Sequence, residues 1–206
     1  MPLEQGTQMT PTSQWTVTGS GATLIVQNNY EINYTRPHIT GATPGKVIDL
    51  GITDIANMGA AMMPAAFDTL VTHFEDTKRS PDYYDLIATG DLGILGSKLL
   101  IEQLKNYGYD ISKQHMDCGV TIFDENTQET HMGGSGCGCS ASVFCSYIYG
   151  KLKSREINRV LLVATGALMS PVSLGQGESI PGIAHAVVIE NIENTENTEI
   201  SESNKN

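Results

Sequence analysis

The sequence predicts an α/β fold, a mixed sheet covered by helices. Apolar stretches of strand length alternate with segments of helical period, and the strand candidates end in glycine turns. Two of them close on the same tripeptide, Ala88-Thr89-Gly90 and Ala164-Thr165-Gly166. The last, residues 183–189, is apolar on both faces apart from His185, the pattern of a strand inside a covered sheet.

In chain order, residues 15–27 alternate and then run apolar through Leu24, Ile25 and Val26, which predicts a turn at Gly19-Ser20-Gly21 feeding a buried strand. Residues 30–42 read as its extended neighbour. Pro64 stands where a first-turn proline is tolerated, and Phe67, Leu70, Val71 and Phe74 follow at helical spacing. Residues 84–88 form a short strand ending in Thr89-Gly90. Ser97 is placed to cap a helix whose Leu100, Leu104 and Tyr107 share a face before Gly108 stops it. Residues 120–123 and 129–132 flank a polar turn and predict a hairpin. A glycine run then opens a helix over about 140–153, and residues 160–164 give the strand before the last.

The 206 residues carry 12 Lys and Arg against 23 Asp and Glu, a formal charge of −11, which excludes phosphate-neutralising nucleic-acid binding. A hydrophobic share of 40% excludes disorder, and 21 glycines indicate tight turns and close backbone approaches. Residues 191–206 carry Glu193, Glu196, Glu199 and Glu202 with no apolar face, so a solvated, disordered acidic tail is expected there. The N-terminus lacks the basic start and apolar core of a signal peptide, and no window reaches the ~20 apolar residues of a membrane span. Cys118, Cys137, Cys139 and Cys145, without a leader, point to reduced thiols.

The densest chemical signal is Gly133-Gly134-Ser135-Gly136-Cys137-Gly138-Cys139-Ser140 at the start of a helix. Such glycines let the backbone approach a carboxylate or phosphate, and equally permit close packing of helix on sheet. The run fits neither the dinucleotide nor the phosphate-loop spacing, so nucleotide binding is not expected. Cys137 and Cys139 are candidate nucleophiles of lowered pKa, against a reading in which they and Cys145 are small core residues. His115, Cys118, Cys137 and Cys139 could form a soft zinc set, although Cys-x-Cys fits structural-zinc spacing poorly. His185 and His73 read as hydrogen-bonded core histidines rather than catalysts. Residues 58–63, rich in small side chains, serve either as a ligand wall or as close packing.

Six blocks, in order, resemble the stage V sporulation protein AD family. They are Val47-Ile48-Asp49-Leu50-Gly51-Ile52-Thr53-Asp54, Met58-Gly59, Tyr84-Asp85-Leu86-Ile87-Ala88-Thr89-Gly90-Asp91, and the glycine run through Ala141. Leu162-Val163-Ala164-Thr165-Gly166-Ala167-Leu168 comes next, then Glu178-Ser179-Ile180-Pro181 with Ile183-Ala184-His185. The resemblance runs from about residue 16 to 190. It implies a thiolase-like fold of two βαβαβ-type halves related by internal duplication, with residues 1–28 closing the first half, 29–190 forming the second and 191–206 outside it.

The family resemblance further implies binding of dipicolinic acid, free or as its calcium chelate, for uptake into the developing endospore. The expected partners are other SpoVA proteins at a membrane, with this chain cytoplasmic or peripheral at the spore inner membrane. By alignment, the histidine of the thiolase Gly-His-Pro motif falls at Ser135 and the acid/base of Cys-x-Gly at Ala164, so neither catalysis nor a cofactor is expected. By analogy with the thiolase cleft, the ligand-binding candidates are Val17, Thr18, Gly59, Ala60, Ser135 and Thr165, each also readable as a packing residue. The rival expectations are an acyltransferase using Cys137 or Cys139 and a structural subunit without ligand. Lacking most of the first half, the chain is expected to expose an apolar face. It would then form a homo-oligomer or join a separately encoded N-terminal half.

Overall fold

The computed structural model describes residues 10–27 and 36–192. The acidic segment 193–206 and residues 30–35 of the expected extended stretch lie outside the described residues.

A five-stranded sheet runs in the order β2 (His38–Thr43), β7 (Gly182–Glu190), β6 (Arg159–Ala167), β3 (Leu86–Thr89) and β4 (His115–Asp117). β3 is parallel to both β4 and β6, whereas β7 is antiparallel to β2 and β6, so the sheet is mixed. Because side chains alternate along a strand, β6 and β7 feed two cores. Leu161, Val163, Ala184, Ala186 and Val188 pack with Met62, Leu70 and Phe74 of α1 (Met58–Thr77) and with Leu100 and Leu104 of α2 (Gly93–Tyr107). On the other face Ala88, Val160 and Ile189 meet Cys139, Val143, Ile148 and Leu152. Those four belong to one helical stretch made of α4 (Cys139–Val143), a π-helical turn (Phe144–Ile148) and α5 (Tyr149–Lys153). Both faces are covered, as the strand composition requires.

Several local expectations are corrected. Only Trp15–Thr16 of residues 15–27 is a strand, β1, paired in parallel with β5 (Gly134–Ser135). Beyond Val17 the chain crosses the start of α4, with Gly21 against the Ala141 carbonyl, and Leu24 and Ile25 are 89% and 72% exposed rather than buried. Pro64 lies inside α1 and not in its first turn, because Asn57 caps the helix earlier by accepting the Ala60 N–H at 3.3 Å. Ser97 is inside α2, whose start is fixed from elsewhere in the fold: Asp117 accepts the N–H groups of Leu92 and Gly93. The expected hairpin is absent. Residues Cys118–Thr121 form a helical turn, α3, and the Met132 amide and carbonyl pair with Ser13 and Ile94. Gly108 does end α2 in the left-handed conformation expected of it.

Candidate functional site

The site forms where β3 and β6 end. After Thr89 the chain turns through Gly90-Asp91-Leu92 into α2, leaving the Asp91 carboxylate, 7% exposed, at the carboxyl end of the sheet. Its Oδ2 accepts Ser135 Oγ at 2.8 Å and the Gly136 N–H at 2.9 Å. Its Oδ1 accepts Thr165 Oγ1 at 2.7 Å, and that hydroxyl accepts the Asp91 N–H at 2.9 Å in return. One side chain therefore ties together β3, β5 and β6. The Gln14 amide adds a second tie, donating to the carbonyls of Asp91 and Gly134 at 3.0 and 3.1 Å.

A second buried carboxylate supports the first. Asp117 accepts Thr89 Oγ1 at 2.7 Å and the N–H groups of Leu92, Gly93 and Val120 at 2.9, 3.0 and 3.1 Å, capping α2 and α3 at once. Since Thr89 Oγ1 donates to Asp117, it accepts from His115 Nε2, 3.0 Å away, which assigns the histidine its Nε2–H tautomer. Burial holds the Asp117 carboxyl above the usual range, against the lowering effect of those four hydrogen bonds.

The glycine run meets this scaffold at close range. β1 reaches β5 through Trp15 N–H to Gly133 O at 2.9 Å and Val17 N–H to Ser135 O at 2.8 Å. Gly133 and Gly136 adopt φ of +100° and +139°, and a Cβ on Gly133 would stand 2.6 Å from the Gly119 carbonyl oxygen. Beside this pair opens a cleft of about 230 Å³. Ser13, Thr16, Val17, Ser135, Gly136 and Cys137 line it, together with Ile55, Met58 and Met169.

Of the sequence candidates, Val17 and Ser135 line this cleft together, and Thr165 is joined to Ser135 through Asp91. Thr18 is exposed and outside the lining. Gly59 sits at the crossing of α1 and α2, where a Cβ would meet the Leu92 carbonyl oxygen at 2.5 Å, and Ala60 gives its N–H to the Asn57 cap. Asp91, Asp117 and Gln14 were not among the candidates. The available signal for Asp91 was its place just after a predicted strand, since ligands of open α/β sheets bind beyond the carboxyl ends of strands.

The thiols and imidazoles divide by burial. Cys139 is buried with its Sγ on the Gly90 carbonyl at 3.6 Å, and burial, then Asp91 and Asp117, push the thiol up to about 12. This reverses the lowered pKa expected from its place at a helix start. Burial also pushes the Cys118 thiol up, while Cys137 is exposed on the cleft. His73 is the core histidine expected, 0% exposed between Thr43 Oγ1 at 2.7 Å and the Tyr84 hydroxyl at 2.6 Å. His185 is exposed, not core, and its Nδ1 accepts the Gly45 N–H at 3.0 Å. Among the described residues no three His, Cys, Asp or Glu side chains gather as a metal site.

A family model described as Stage V sporulation protein AD (SpoVAD) matches residues 1–190. The chain belongs to the SpoVAD family. Stage V sporulation protein AD of Bacillus subtilis (strain 168) is 50% identical over 189 residues, covering 92% of this chain and 54% of that protein. This SpoVAD-family chain thus spans about half the length of that sporulation protein. It is also similar to the acetyl-CoA acetyltransferase of Bacillus anthracis, at 16% identity and a TM-score of 0.42 over 76% of this chain and 31% of that one. The 3-oxoacyl-[acyl-carrier-protein] synthase III of Aquifex aeolicus VF5 gives 15% identity and a TM-score of 0.38 over 78% of this chain and 55% of that one. No helix among the described residues is long and apolar enough to cross a membrane.

Proposed function

We propose that the cleft beside β1 and β5 binds dipicolinic acid, free or as its calcium chelate, without turning it over, for uptake into the developing endospore. The observation that carries this reading is the state of Asp91. Its carboxylate is engaged by Ser135, Gly136 and Thr165, so it fixes the Ser135–Gly136 wall of the cleft. A volume of about 230 Å³ lies below the roughly 300–1,000 Å³ of drug-sized pockets and suits a single flat ring. Val17, Met58 and Met169 offer apolar contacts to such a ring. The 139–153 helical stretch begins just after the lining residues Gly136 and Cys137, so its dipole favours a carboxylate there. Chelated calcium would offset the repulsion from a chain of formal charge −11.

The partners belong to the same reading. Val47, Leu50, Leu168 and Val172 are each more than 60% exposed, and Ile55 and Met169 carry this apolar surface to the cleft rim. We propose that a second copy or a separate chain matching the rest of the relative covers it, and that other SpoVA proteins bring the assembly to a membrane.

Calorimetric titration tests the binding. Saturable heat with calcium dipicolinate is expected, weakened at least about tenfold by Met169→Trp, which adds bulk at an exposed lining position of the cleft, a loss of about 1.4 kcal/mol. No heat with either dipicolinate or its chelate would overturn the reading. A second reading, acyl transfer, draws on the exposure of Cys137 in the cleft. It predicts acylation by a coenzyme A thioester that Cys137→Ala abolishes, whereas the binding reading predicts that dipicolinate only slows Cys137 labelling by a maleimide.

A further inference from the structure

Among the described residues, accessible sulfur is concentrated at the cleft. Of the methionines there, Met62 is buried, Met58, Met63, Met116 and Met132 are half-buried, and Met169 alone is exposed, at 43%. Of the cysteines, Cys118 and Cys139 are buried, Cys145 is half-buried and Cys137 is exposed. The exposed thioether and the exposed thiol therefore share one place, since Met169 and Cys137 both line the cleft. Met169 follows the end of β6, where the Leu168 N–H on the Pro181 carbonyl at 2.9 Å fixes the path of the chain. It belongs to neither core cluster, whereas Met58, the other lining thioether, packs partly against the core of α1 and α2.

A thioether is oxidised through a sulfur lone pair, so access decides which methionine reacts first. We propose that Met169 is an oxidation site for small hydroperoxides and that its sulfoxide switches the cleft off, the second half of which rests on the binding reading above. The sulfur lone pair takes the terminal oxygen of the hydroperoxide as the O–O bond breaks. The proton on that oxygen passes to the leaving oxygen, so hydrogen peroxide departs as water and an organic hydroperoxide as its alcohol. The apolar contact that Met169 offers a flat ring becomes an S=O group whose oxygen only accepts hydrogen bonds. The Ser13 and Ser135 hydroxyls of the same cleft already donate to the Thr10 carbonyl and to Asp91. A dicarboxylate brings acceptors of its own, so burying the ring against the sulfoxide leaves that oxygen unpaired and weakens binding. Methionine sulfoxide reductases reverse the step, which makes the switch reversible. The cover proposed for the apolar rim would shield Met169, so the site is open in the uncovered chain.

The test treats the full chain with hydrogen peroxide in dilute solution, removes the oxidant with catalase and then reduces with dithiothreitol. That last step returns a Cys137 sulfenic acid or disulfide to the thiol and leaves sulfoxides in place. Peptide mass spectra should show the added oxygen on Met169 before Met58, Met62 or Met63. In calorimetric titration with calcium dipicolinate the treated chain should bind at least about tenfold more weakly than the untreated one, and methionine sulfoxide reductases should restore the untreated affinity. In Met169→Leu, whatever its own affinity, treated and untreated samples should agree within about twofold. Oxidation that reaches Met58 first, or an oxidised Met169 that leaves the affinity unchanged, would overturn the switch and leave the binding reading standing. No heat with the untreated chain would instead overturn the binding reading, and the switch with it.

Discussion

Asp91 shows how much one residue can organise when its acceptors are all engaged. Removing it in Asp91→Ala leaves Ser135 Oγ, the Gly136 N–H and Thr165 Oγ1 without their acceptor at the edge of the core. A loss of about 3 kcal/mol in urea denaturation is expected, with a smaller one for Asp91→Asn, which keeps one acceptor oxygen. The histidines supply a pH signature. Burial lowers His73 and His115 to about 4, helped at His73 by Arg79, whereas both take up a proton near 6.5 once unfolded. Between those values the unfolded chain binds more protons, so stability is full above pH 6.5 and falls as pH drops toward 4. About 1–2 kcal/mol per histidine should be lost between pH 7 and pH 5, and His73→Gln should flatten that slope in denaturation curves taken across the range. His73 was legible as a core residue because an amphipathic helix placed it beside Phe74. His185 was not, because the strand pattern does not reveal that its neighbour across the ladder, Ala164, also faces outward.

At the scale of elements, the predictable parts were those set by local period or local chemistry. α2 and its Gly108 stop, β3, β6 and β7 follow from alternation, helical spacing and a left-handed cap, and the structure differs from them by a few residues at the ends. At the start of α2 and at residues 129–132 the departures share one physical cause, a distant residue supplying hydrogen bonds that local sequence cannot announce. Asp117 starts α2 ahead of Ser97 and turns residues 118–121 into a helix where alternation suggested a strand. Ser13 and Ile94 engage Met132, leaving residues 129–132 no partner strand. The α1–α2 crossing gives a paired test of close packing. Gly59→Ala would set a Cβ 2.5 Å from the Leu92 carbonyl oxygen and 3.2 Å from the Gly96 nitrogen. It should cost about 1–3 kcal/mol despite the better helix propensity of alanine. Gly150→Ala, with nothing within 4 Å of the added carbon, should stabilise by about 0.5–1 kcal/mol. Thermal melts of the two variants are expected to move in opposite directions.

At the scale of the whole molecule, the candidate site lies at one end of the sheet. The carboxyl end of β3 and β6 holds the cleft and Asp91, and beside it Leu50, Ile55, Leu168, Met169 and Val172 face outward. Exposed apolar side chains in such number are costly in water, and the two sheet faces do not need them, since both are already covered by helices. Association through the cleft end should therefore deepen the cleft without rearranging the sheet. Light scattering at micromolar concentration is expected to give a mass above the 22.2 kDa of one chain. Leu168→Asp with Val172→Asp, both exposed and outside the core clusters, should shift that mass toward one chain while leaving the circular-dichroism spectrum unchanged. If the same pair also weakens dipicolinate binding several-fold, the cleft is completed across the interface. A monodisperse single chain before any substitution would rule out a second copy as the cover of this face.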